Sequence, residues 1–149
     1  MRVVRDRVLD ASPAAVWAVV GDPGALPGWW PRVERVESVD GAGFTEVYRT
    51  KKGTQVRADF RIATLEPERE IRVVQQLEGT PFERIFSAAS KRVRLEPVDA
   101  RTRVGLELDQ TPVGMARFGT LMVRGAMRKQ LDAALASLAG LLEPPARGA

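Results

Sequence analysis

The sequence predicts an α+β domain: seven antiparallel strands in one sheet, two short helices between the first and second strands, and a long C-terminal helix against the sheet. Three observations carry this. Apolar and polar residues alternate with period two in runs between Gln55 and Asp109. A good N-cap residue stands before proline at Ser12–Pro13, Asp22–Pro23 and Thr111–Pro112. The stretch from Pro112 to Leu142 carries apolar residues at helical spacing, and Pro144 and Pro145 follow it.

Taken in order, a first strand is expected over about Arg2 to Leu9, and a helix from Pro13 to about Val20, stopped by Gly21. A second helical start at Pro23 is broken by Gly24, Pro27 and Gly28, so it amounts to a turn or two before Trp29, Trp30 and Pro31. Six strands follow in hairpin succession. Val56, Ala58, Phe60 and Ile62 alternate with Gln55, Arg57, Asp59 and Arg61; Ile71, Val73 and Leu77 alternate with Arg72 and Glu78; Val104, Leu106 and Leu108 alternate with Arg103, Glu107 and Asp109. Each reads as a strand with one buried and one wet face. Turn residues at 40–43, 51–53, 66–68, 78–81 and 97–101 separate them, and connections this short make an antiparallel meander. The last helix, opening at Pro112, would be roughly 45 Å long at 1.5 Å per residue.

A sheet with one apolar face must bury it, and this helix is the only element large enough to do so. Ala116, Thr120, Val123, Met127, Leu131, Ala134, Leu138 and Leu141 share its apolar face. The face is leucine-rich toward the C-terminus, whereas Ala116, Gly119, Thr120 and Gly125 make the N-terminal part small. Small residues there either leave a hollow between helix and sheet or let the two layers approach more closely. Phe118 and Met122 lie off the apolar face, so either a glycine breaks the helical phase or these side chains cover something else.

Composition removes many chemistries. Among the 149 residues there is no cysteine and no histidine, which excludes disulfides, Ser-His-Asp triads and nearly all zinc, copper, haem or iron–sulfur sites. Only a carboxylate site for a hard cation stays open, and since most of the acids fall at turns or on wet strand faces, no metal or cofactor is expected. The 23 Lys and Arg against 19 Asp and Glu give a formal charge of +4. The arginines are interleaved with acids, as in Glu34, Arg35, Glu37 and Glu68, Arg69, Glu70, so a mixed solvated surface is expected and no nucleic-acid partner. A charged N-terminus and the lack of a long apolar stretch predict a cytoplasmic protein with no integral membrane segment. The length points to one domain over residues 1–149, a size that removes roughly 70% of the unfolded surface from water.

Leu9, Asp10, Ala11, Ser12 and Pro13 with Val16 and Trp17, then Asp22, Pro23, Trp29, Trp30 and Pro31, then Leu95, Glu96 and Pro97 before a hairpin, and finally the amphipathic helix, together resemble the START-like (Bet v 1-like, SRPBCC) superfamily and its polyketide cyclase/dehydrase group. The resemblance covers almost the whole chain. It implies a helix-grip fold, in which a curved antiparallel sheet wraps the C-terminal helix around a deep apolar pocket, and so favours the hollow. The superfamily holds lipid carriers, quinone-binding proteins and aromatase/cyclases, so fold alone does not give function. Where its polyketide branch is catalytic, arginine, tyrosine and tryptophan side chains orient the substrate.

Under this reading the pocket is walled by Val47, Phe60, Val73, Phe82, Ile85, Ala116, Thr120, Val123 and Met127, with Trp30 at its entrance. A two-residue turn at Lys52–Gly53 would set Arg49 opposite Val56, Val47 opposite Ala58 and Thr45 opposite Phe60 on the inner face, making Arg49 a rim cation; a turn one residue longer would bring Tyr48 inward instead. Gln75 interrupts the inner row of Ile71, Val73 and Leu77, and its amide needs a partner from a ligand or from its neighbours. The leading expectation is a binding protein for a small hydrophobic or aromatic molecule of polyketide, lipid or isoprenoid quinone type. The alternatives are a cyclase or dehydratase that works mainly by positioning its substrate, and an interaction module using Phe118 and Met122, as monomer or homodimer.

Overall fold

The computed structural model describes residues 1–145; the expected domain limit at 149 lies outside the described residues. Seven strands form one antiparallel sheet: β1 (Arg2–Leu9), β2 (Val33–Glu37), β3 (Gly43–Arg49), β4 (Gln55–Glu66), β5 (Glu70–Gln75), β6 (Phe86–Val98) and β7 (Arg101–Pro112). Their spatial order is β1-β7-β6-β5-β4-β3-β2, so the meander runs from β2 to β7 and β1 pairs beside β7. The inner face holds Val3, Phe44, Phe60, Val73, Val93, Leu95, Val104, Leu106 and Leu108, all buried.

Helix α1 (Pro13–Val20) starts as the sequence predicts: the Ser12 hydroxyl accepts from Ala15 N at 3.2 Å, and Pro13 has no amide to leave orphaned. Asp22 likewise caps a 3-10 turn, Pro23–Gly28, which delivers Trp29 and Trp30 to the core. These two segments are the expected pair between the first two strands.

The third cap-and-proline pair behaves differently. Thr111 and Pro112 end β7, with Pro112 opposite Phe86, and start no helix. A 3-10 turn (Gly114–Arg117) follows, and the long helix α2 begins only at Thr120 and runs to Leu142. Gly114 and Gly119 sit at φ 57° and 92°, left-handed values that glycine adopts freely and that interrupt a continuous helix. The turn expected at 78–81 extends through a 3-10 turn at Pro81–Arg84, so Phe82 and Ile85 stand before β6, which starts at Phe86 with an irregularity between Phe86 and Ala88.

Met127, Leu131, Ala134, Leu135, Leu138 and Ala139 give α2 its buried face. Leu131 and Leu138 are completely buried, each contributing about 1.5–3 kcal/mol of transfer free energy. The helix lies chiefly against β1 and secondarily against β7. Arg5 on β1 donates to Asp132 at 2.8 and 3.2 Å, and Glu143 accepts from Asp10 N at 3.1 Å and pairs with Arg7 at 3.5 Å. Exposed pairs of this kind stabilise little, but they fix where along the sheet the helix sits.

Candidate functional site

Because α2 rests on the β1–β7 end of the sheet and the Pro23–Gly28 turn rests against β2, the concave face between them is left uncovered. A cavity of about 740 Å³ occupies that space. Its floor is Ala58 and Phe60 on β4, Gln75 on β5, Ala89 and Lys91 on β6 and Leu108 on β7; its helical wall is Ala126, Lys129, Gln130 and Ala133. The residue sizes account for the space. Alanines face it from both layers, Ala58 and Ala89 from the sheet and Ala126 and Ala133 from the helix, where larger side chains would fill it.

The expected glycine- and alanine-rich start of the helix is not the lining. Ala116 stands on the 3-10 turn, Thr120 is exposed, Val123 packs against the core and Met127 is buried within it. The lining helical residues lie one to two turns further along, on a face rotated from the buried one. Val73 lines a separate void of about 40 Å³ with Val20, Leu26, Trp29 and Ile71. Phe82 packs partly buried on the core, and Ile85 is 42% exposed.

The β3–β4 hairpin decides which side chains enter. Thr50 N donates to Thr54 O and Gly53 N to Thr50 O, both at 2.9 Å, with Gly53 left-handed at φ 82°. The loop is thus longer by one residue than a two-residue turn, and Arg49 pairs with Gln55, Tyr48 with Val56, Glu46 with Ala58 and Phe44 with Phe60. Arg49 is therefore turned away from the cavity floor. Its guanidinium bonds Glu34 and, at 3.0 Å, Gly53 O, so only its residue edges the rim. Val47 is buried in register with Arg35 and Arg57, outside the core cluster. Phe44 stacks on Phe60 at 5.5 Å on the inner face.

The same register brings Glu46 and Tyr48 inward. Glu46, buried on the cavity wall, accepts from Lys91 Nζ, and that ammonium lies 4.5 Å from the ring centroids of both Trp30 and Phe60. Two aromatic faces and a carboxylate thus hold one cation, which offsets the cost of taking it from water. Trp30 meets Trp29 edge-on at 5.4 Å. Gln75, in register with Phe60, lines the cavity, and its Nε2, itself shielded from solvent, has no partner among the described residues. Tyr48 is half-buried beside Glu46. Burial and then the Glu46 charge push its hydroxyl up to about 12, so it acts as a neutral hydrogen-bonding group at ordinary pH.

Of the residues singled out from sequence, Trp30, Phe60 and Gln75 meet at the cavity, with Arg49 at its edge. Glu46, Lys91, Ala58, Ala89 and Leu108 were missed. Lys91 left a readable sign, since it takes the place of an apolar residue in the inner row with Ala89, Val93 and Leu95.

A family model described as polyketide cyclase/dehydrase and lipid transport matches residues 1–143. The chain belongs to this family. Its fold is that of solved START-like proteins. The Zhui aromatase/cyclase from Streptomyces sp. R1128 is 20% identical, with a TM-score of 0.77 over 94% of this chain and 92% of that one. A START superfamily protein from Mycobacterium smegmatis is 17% identical, with a TM-score of 0.75 over 95% and 96%. Half of the BexL di-domain aromatase/cyclase, 51% of its length, matches 98% of this chain at 14% identity and a TM-score of 0.79. No protein of curated function matches the sequence.

Proposed function

We propose that this member of the polyketide cyclase/dehydrase and lipid transport family binds a small, largely apolar, oxygen-bearing molecule in the cavity between the sheet and α2. The observation that carries the reading is the cavity of about 740 Å³, floored by Ala58, Phe60, Ala89 and Leu108 with the polar Gln75 among them. Gln75 Nε2 has no partner among the described residues; an orphaned donor costs about 1–3 kcal/mol, and a turn of the side chain toward a ligand carbonyl would satisfy it. The surrounding Phe60, Leu108 and alanines suit a flat apolar body, and the volume falls in the range of small-molecule pockets. The Glu46–Lys91 pair is neutralised within the protein, while Arg32, Lys51 and Lys129 also line the cavity, so the lining suits an oxygen-rich ligand of aromatic polyketide or quinone type, and a neutral one is the simplest probe of it.

Titration with a neutral naphthoquinone, read by quenching of tryptophan fluorescence, tests this, because Trp30 stands in the wall. Saturable quenching is expected, and Gln75→Leu, which keeps the volume but removes the donor, should weaken it roughly tenfold. Absence of saturable quenching across neutral naphthoquinones and anthraquinones would contradict the proposal.

One observation favours a second reading as an enzyme. Glu46, Lys91, Gln75 and Tyr48 all line the one cavity. In that reading the cavity folds a poly-β-keto chain, Lys91 polarises a carbonyl, and positioning supplies most of the rate. Lys91→Met with Glu46→Leu, which leaves no stranded charge in the wall, should then abolish cyclisation of a poly-β-keto thioester while leaving naphthoquinone binding within a fewfold of the parent; unchanged turnover would remove this reading.

A further inference from the structure

The segment joining β7 to α2 is built unlike the rest of the surface. Met115 is 82% exposed, Phe118 63%, Leu121 86% and Met122 82%. Ile85, tied to it through Val113 N donating to Ile85 O at 2.9 Å, is exposed as well. Elsewhere in the chain acids and arginines alternate, but between Asp109 and Asp132 stand Arg117, Arg124, Arg128 and Lys129 and no acid. The nearest carboxylate of the adjoining 3-10 turn, Glu83, is engaged by Gly79 N at 3.0 Å.

We infer that this end of the molecule docks on an anionic lipid bilayer, with Met115, Phe118, Leu121 and Met122 entering the acyl boundary and the cations meeting the headgroups. The helical geometry fits such a surface. Arg128 lies two turns beyond Leu121 on the same helical face, and Lys129 two turns beyond Met122, a separation of about 10 Å. Flexible apolar tips with cations one step behind suit a fluid bilayer. Ala126 and Lys129, one and two turns beyond Met122, line the cavity, so a docked bilayer would lie beside the site from which an apolar ligand enters or leaves. The exposed apolar and cationic side chains form this surface whether or not the cavity holds a ligand.

Co-sedimentation with vesicles of equal parts phosphatidylcholine and phosphatidylserine, against phosphatidylcholine alone, tests it without any cavity ligand. The protein should bind the mixed vesicles, binding should fall as salt rises, and the phosphatidylcholine vesicles should bind much less. Arg117→Glu with Arg128→Glu should weaken binding at least about thirtyfold, from about fivefold for each cation removed before the added negative charges are counted, and Leu121→Ser with Met122→Ser should abolish it. All four positions are exposed, so circular dichroism should show each variant folded as the parent is. Equal sedimentation of parent and variants, or no sedimentation at low salt, overturns the inference. So does a dimer in size-exclusion chromatography with light scattering that Leu121→Ser with Met122→Ser dissociates, since the patch would then belong to a second copy of the chain.

Discussion

Lys91 and Glu46 form the site's least replaceable contact. Both are largely buried, at 15% and 4% side-chain exposure, so removing one partner strands the other's charge. Lys91→Ala should therefore cost about 3–5 kcal/mol, whereas replacing both as Lys91→Met with Glu46→Leu should cost much less; urea unfolding of the two variants checks the contrast. Tyr48 offers a spectroscopic handle, being the only tyrosine. Its ordinary value near 10 is pushed up to about 12 by burial and Glu46. A raised pKa means that the neutral hydroxyl is favoured in the folded state, so the contribution is fully present below pH 10 and lost as pH rises toward about 12. Ultraviolet titration of the native protein should show the tyrosinate band appearing near the upper value, and an unfolded sample near the lower. Gln75 was legible in sequence as an interruption in an apolar row, and Lys91 was equally legible by the same test. Glu46 was not, because its face depends on a hairpin one residue longer than the simplest turn.

That hairpin shows what alternation can and cannot establish in an element. The period of two in β4 is plain from Gln55 to Ile62, and its inward residues are as expected; the partner strand β3 carries residues buried on both faces, Phe44 and Glu46 inward and Thr45 and Val47 outward. With no clean alternation in β3, only loop length sets the register, and a left-handed Gly53 lengthens the loop. The same kind of glycine, Gly119, holds the entry to α2 and explains why Thr111–Pro112 looks like a helix start yet ends a strand. The buried middle of α2 and its exposed start should respond very differently to truncation. Leu131→Ala, at a fully buried position, should cost about 2–5 kcal/mol, while Leu121→Ser should change stability by no more than about 0.5 kcal/mol; thermal unfolding of both measures the difference.

At the scale of the molecule, the architecture was legible because its signals are long: a meander, two correct caps and a leucine-rich helix face leave few ways to bury one sheet face. The position of the hollow was less so. Small residues at the start of the helical segment point to an opening there, yet the space arises where alanines of the sheet and alanines of α2 face each other across layers, a coincidence of residues far apart in sequence. It exists because the helix is moored by Arg5–Asp132 and its leucines to the β1 end, leaving the part of the concave face at Ala58, Gln75 and Ala89 without a cover. Closing that space should then remove binding without unfolding the protein. Native mass spectrometry of freshly purified protein beside an Ala133→Phe variant tests this most directly, each measured before and after incubation with a neutral naphthoquinone. The account predicts a bound organic molecule or quinone on the parent and none on the filled variant. A parent that stays bare in both conditions, or a variant that carries the same adduct, would contradict it.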